Sequence, residues 1–118
     1  MNAEICRQRI TDVVVEPMLT GIREYDIDWY TEDDVSALEA ILSGYVSALA
    51  SLTEPSDEQI MDEVRKVVLI LNEMNENSAG ELIETEEREM LWEVIQKSAE
   101  DCGLRDVPDD VTEEWREW

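Results

Sequence analysis

Residues 56–74 read SDEQIMDEVRKVVLILNEM. Within them Ile60, Val64, Val67, Val68, Leu71 and Met74 recur at steps of three and four, which gathers all six on one side of a helix with 3.6 residues per turn. Ser56 follows Pro55 and precedes Gln59 by three residues. That is a capping-box start: the serine oxygen accepts a first-turn amide, and the glutamine reaches back to the serine N–H. The stretch predicts one amphipathic helix with a defined beginning, and the chain on either side repeats the pattern.

Toward the N-terminus, Thr31 and Asp34 form the same device with aspartate in the glutamine position, and Val35, Leu38, Leu42, Tyr45, Leu49 and Leu52 follow at helical spacing. Earlier still, Ala3 to Gly21 carries Ile5, Cys6, Ile10, Val13, Val14, Met18 and Leu19 behind Asn2 as an N-cap. Pro17 kinks that segment or ends it early, and Val13-Val14-Val15 leaves a short strand as the lesser reading. Toward the C-terminus, a fourth helix opens at Thr85, with Met90, Leu91, Val94, Ile95 and Ala99 as its stripe. It closes at Cys102-Gly103-Leu104, where glycine supplies a left-handed residue and Leu104 folds back. Short connectors between comparable helices predict an all-α protein, a compact antiparallel bundle of about four helices forming one domain over residues 1–118. The acidic tail 105–118, with Trp115 and Trp118, either packs on the bundle or is partly mobile.

The formal charge is −22 in 118 residues. Residues 1–25 hold four acids and three bases; the remainder holds 27 acids and six bases. Such a field repels phosphates and anionic surfaces, which argues against direct nucleic-acid or membrane binding and favours a basic protein partner. The longest uncharged run, Ala40 to Thr53, falls short of the roughly 20 apolar residues that span a bilayer. The N-terminus lacks the pattern of a secretory signal, so a cytoplasmic location is expected, with Cys6 and Cys102 as two reduced thiols.

The chain has no histidine, which removes the Ser-His-Asp and Cys-His catalytic arrangements, and its four glycines never cluster into a phosphate-binding loop. Carboxylate chemistry with a hard divalent metal is what remains, and an enzyme is the lesser reading. Glu58, Asp62, Glu73 and Glu76 are weak metal candidates, with Asn72, Asn75 and Asn77 as further oxygen donors. The segment beginning at Asp26, DIDWYTEDDVSA, fails as a calcium loop: Thr31 stands where glycine is required and Ala37 where the bidentate glutamate belongs.

From Glu73 to Glu89 there are seven carboxylates and one base. Glu73, Glu76, Glu81, Glu84, Glu89 and Glu93 form the candidate partner-binding patch. On the fourth helix Glu89, Glu93 and Glu100 lie opposite the apolar stripe and Glu86 and Glu87 occupy the first turn, so Glu86, Glu87, Glu89 and Glu93 read as mostly solvated or capping groups. The second helix carries no charge between Glu39 and Glu54, and its small face is expected to be covered by neighbouring helices. A homodimer seam along Ser36, Ala40, Ser43, Gly44 and Ser47 is the sharper reading. Trp29 and Trp92 read as packing residues. Trp115 and Trp118 either dock onto the bundle or form an aromatic contact for a partner. Three function classes follow: an acidic interaction protein of inhibitor, immunity or DNA-mimic type, a magnesium-dependent hydrolase, and an oligomeric module without a site.

Overall fold

The computed structural model describes residues 1–118 and is wholly helical apart from its connectors. α1 runs over residues 3–24 as Ala3–Ile10, a π-helical turn at Thr11–Val15, and Glu16–Glu24; α2 is Glu32–Ala50, α3 Asp57–Asn77 and α4 Thr85–Asp101. α1 and α3 each pack against α2 and α4, and α2 also meets α4. The buried apolar side chains of all four helices form one cluster. The radius of gyration, 13.9 Å, is close to the roughly 13.5 Å expected of a folded chain this long.

The stripes of α2, α3 and α4 lie where their spacing puts them, with Leu38, Leu42, Val64, Leu71, Leu91 and Ile95 fully buried. Both predicted capping boxes form: Asp34 N–H donates to Thr31 Oγ1 at 3.2 Å and Thr31 N–H to Asp34 Oδ2 at 2.9 Å, and Ser56 and Gln59 repeat the exchange. Gly103 adopts φ 107°, and Leu104 N–H returns to the Ala99 carbonyl.

α1 is the helix expected from Ala3 onward, with a wide turn in its middle that the spacing does not predict. Neither a break nor a strand occurs, and the helix runs through Pro17. Its buried residues Cys6, Ile10, Val14 and Met18 are spaced by four, a stripe that drifts around a regular helix by about 40° per step. The wide turn at Thr11–Val15, where Glu16 N–H donates to the Thr11 carbonyl five residues back, holds the stripe against the core. It also delivers Pro17 to the first turn of the resumed helix, where a missing N–H costs little. Ile5, included in the expected stripe, is 57% exposed.

α2 brings a second correction. Its small-residue face is not covered by neighbours: Ser36, Ala40, Gly44 and Ser47 are exposed, Ser43 is half-buried, and a Cβ at Gly44 would meet nothing within 4 Å. The reason is geometric. Its apolar face already meets the other three helices, and none remains for the back. Arg7 Nη2 donates to Ser47 Oγ at 2.8 Å along one edge of that face.

The tail is packed on the bundle. Asn72 holds it from both sides, donating to the Trp115 carbonyl at 2.8 Å and accepting from Glu117 N–H at 2.9 Å. Asp57 accepts the N–H groups of Arg105 and Asp106, each at 2.9 Å, and Gln96 accepts from Val111 N–H and donates to the Pro108 carbonyl. Val111 and Thr112 are buried, and Trp115 and Trp118 lie against the core. No helix is long and apolar enough to cross a membrane.

Candidate functional site

A hollow of about 730 Å³ lies between the middle and end of α1, the connector to α2 and the first turns of α4. The π-turn and the helix that resumes after it bring Asp12, Glu16 and Thr20 to one wall, and α4 supplies Glu86, Glu87 and Met90 to the other. Tyr25, Ile27, Trp29 and Tyr30 of the connector close the end. A second hollow of about 520 Å³ shares Trp29, Glu86 and Glu87 and adds Glu81, Glu84 and Thr85. Trp29 therefore stands between two acidic recesses, and no lysine or arginine lines either one.

The floor depends on Gly21. Its carbonyl accepts from both Tyr25 and Ile27 N–H groups at 3.1 Å, which turns the chain sharply, with Asp26 in the left-handed region at φ 52°. A Cβ on Gly21 would fall 2.6 Å from Tyr30 Oη and 2.7 Å from Ile27 Cδ1, so any side chain there must push aside the Tyr30 hydroxyl and the end of Ile27. Tyr30 Oη donates to the Met18 carbonyl at 3.0 Å. Burial raises the Tyr30 hydroxyl above its ordinary pKa, and the charges of Glu87 and Glu86 add to the effect, so the group stays a donor.

Glu87 is the least expected member. Its place in the first turn of α4 predicts a solvated or capping carboxylate; it does cap, but with only 2% of the residue exposed. Oε1 accepts from Glu84 N–H at 3.1 Å and from Trp29 Nε1 at 3.2 Å, which ties the connector to the start of α4. Trp29 stands edge-on to Tyr30, ring centroids 6.0 Å apart, and is 40% exposed. It is a cleft wall as much as a packing residue. Sequence reasoning missed the pair because the contact joins residues 58 positions apart; the signals available were the capping position of Glu87 and its place four residues before Leu91 and seven before Val94, on the apolar side of the helix.

The predicted patch is only partly assembled. Glu81 and Glu84 line the second hollow, while Glu89 and Glu93 edge a shallow depression with Glu86, and Lys97 pairs with Glu93 at 3.6 Å. Glu73 and Glu76 are exposed on α3 and line neither recess. The weak metal candidates Glu58, Asp62, Glu73 and Glu76 are not brought together: no group of three or more Cys, Asp or Glu side chains could hold a metal ion. Asp62 is engaged by Arg65 at 3.0 Å and Lys66 at 3.3 Å. Asn72 is taken up by the tail, and Asn75 Oδ1 accepts from Ile83 N–H at 2.9 Å, so neither offers a free carbonyl oxygen. Trp115 and Trp118, considered as a partner contact, pack against the core. Cys6 and Cys102 are free thiols, both raised in pKa chiefly by burial.

No protein-family model, curated protein or solved structure matches the chain.

Proposed function

We propose that the protein is a small acidic interaction protein that presents the carboxylate-lined, aromatic cleft around Trp29 to a basic protein partner, in a role of inhibitor, immunity or DNA-mimic type. The observation that supports it is the composition of the cleft walls: Asp12 and Glu16 in one recess, Glu81 and Glu84 in the other, Glu86 and Glu87 common to both, with no base among them. An exposed tryptophan beside unpaired carboxylates suits a cationic surface, because indole supplies apolar area and a negative ring face while the acids steer the encounter. Affinity capture at physiological salt tests the reading. A basic protein retained by the chain but not by polyglutamate of equal charge supports it; capture of nothing beyond the polyglutamate control overturns it.

A second reading rests on the spread of charge. Acids outnumber bases on all of α2, α3 and α4, and lysine occurs only at 66 and 97. Such a surface repels itself in dilute buffer and suits a fold that works in concentrated salt. A denaturation midpoint that keeps rising with KCl beyond about 1 M, where the Debye length is already about 3 Å, favours that reading. A plateau well below that concentration attributes the rise to ordinary screening.

A further inference from the structure

Glu87 carries the next step. A carboxylate this deeply buried is ordinarily paired with a cation or hydrogen-bonded on both oxygens. Here both accepted bonds fall on Oε1, none reaches Oε2, and no lysine or arginine forms an ion pair with the residue. Oε2 is not among the fully enclosed polar atoms that lack a partner, so it keeps an opening, and Glu87 lines both recesses. The amide dipoles at the start of α4 favour a carboxylate at this position, and the two bonds on Oε1 hold the side chain in place. They leave the second oxygen free.

We infer that the cleft beside Trp29 is an anchor site for one arginine side chain of a basic partner, its guanidinium packed against the indole and hydrogen-bonded to the open Oε2 of Glu87. Guanidinium fits better than ammonium: it is planar, stacks on aromatic rings, and presents donors along several edges to Glu86 and Glu16 on the surrounding walls. This assignment rests on the interaction reading above and narrows it to one side chain in one place.

The test titrates the full chain with the peptide acetyl-Gly-Arg-Gly-Arg-Gly-amide at constant ionic strength, with the glutamine-for-arginine peptide, the lysine peptide and methylguanidinium run in parallel. Binding is read by calorimetry and by the four tryptophan indole N–H resonances. The expected result is a saturable shift of the Trp29 indole with the arginine peptide, none with the glutamine peptide, and weaker binding of the other two probes. Glu87→Gln keeps an oxygen for Glu84 and Trp29 but removes the charge, and should weaken the arginine peptide about tenfold. Glu86→Gln, at an exposed position that puts the fold at no risk, should weaken it about threefold. Glu73→Gln, outside both recesses, should change it less than about twofold. Equal binding by wild type and both cleft variants, or a lysine peptide or methylguanidinium that binds as tightly, overturns the arginine anchor and leaves the interaction reading standing. No binding of any basic peptide beyond the glutamine control removes both.

Discussion

Two regions of this molecule use the same materials to opposite ends. At the tail seam, the segment that carries Trp115 and Trp118 is held by Asp57, Asn72, Gln96 and Asp110, and each of those four polar side chains is engaged by backbone or side-chain partners within the chain. Arg116 even supplies a counter-charge, 3.2 Å from Asp110. At the cleft, Trp29 meets Glu81, Glu84, Glu86 and Glu87 with no base among the lining, and Glu87 is satisfied on one oxygen alone. The difference lies in the supply of donors. The tail is irregular backbone with free N–H groups to give, whereas at the cleft the carboxylates crowd the start of a helix faster than its first-turn amides can pair them. Tryptophan among acids becomes structure in the first setting and a candidate surface in the second.

The contrast is broken most severely by removing the tail. Deleting residues 105–118 uncovers the core beneath Val111, Trp115 and Trp118 and leaves both polar ends of buried Asn72 unpaired. A loss of roughly 3 kcal/mol is expected, read as a lower urea midpoint. The Trp29 indole resonance should hold its position if the two regions are independent. At the cleft the largest effect belongs to Gly21→Ala, where the added methyl must displace Tyr30 Oη from its bond to the Met18 carbonyl. About 2 kcal/mol of destabilisation is expected from overpacking, with the Trp29 resonance moving this time. A Gly21→Ala variant of wild-type stability would mean that the connector has slack the packing does not suggest.

How far the sequence discloses these regions follows from the range of the interactions. Caps and stripes are local: Thr31 with Asp34, Ser56 with Gln59 and the Gly103 terminus are written within a few residues, and all form. The π-turn is half legible, since a stripe spaced by four and a following proline both call for a wider turn, yet neither dictates it. The cleft is scarcely legible. Glu87 stands about 100° from Glu86 on a helical wheel, on the side of Leu91 and Val94, but the wheel says nothing of Trp29 or of the fold-back over Gly21 that complete its surroundings. Likewise an uncharged α2 reads as central, but with three partners on one face its small residues are left in the open.

Glu87→Gln sharpens the comparison by separating stability from recognition. A glutamine oxygen can accept the same two hydrogen bonds, and a buried carboxylate without a paired cation contributes little by its charge. The unfolding free energy should change by less than about 1 kcal/mol, against the larger losses at the tail. Loss of several kcal/mol by urea denaturation would place Glu87 with Asn72 as a structural group and take the cleft out of contrast with the seam.

The smallest effect is at Asp57, the carboxylate of α3 that clamps the start of the tail. Asp57 accepts the N–H groups of Arg105 and then Asp106, and these bonds hold its carboxyl below the ordinary aspartate value, helped by the Arg105 charge. The sign follows from linkage. A group whose pKa is lower in the folded state adds stability at any pH above its unfolded value, near 3.9, and that contribution is lost as pH falls through the lower folded value. The clamp is therefore complete at neutral pH and weakens only in acid, below about pH 4. Asp57→Asn still offers one acceptor oxygen but not two, and cannot titrate. The variant should show a slightly looser 105–106 turn by amide exchange at neutral pH, and no further loosening on acidification where wild type loosens. If wild type and the Asp57→Asn variant follow the same acid profile, protonation elsewhere governs the tail, and Arg116 with Asp110 becomes the pair to examine next.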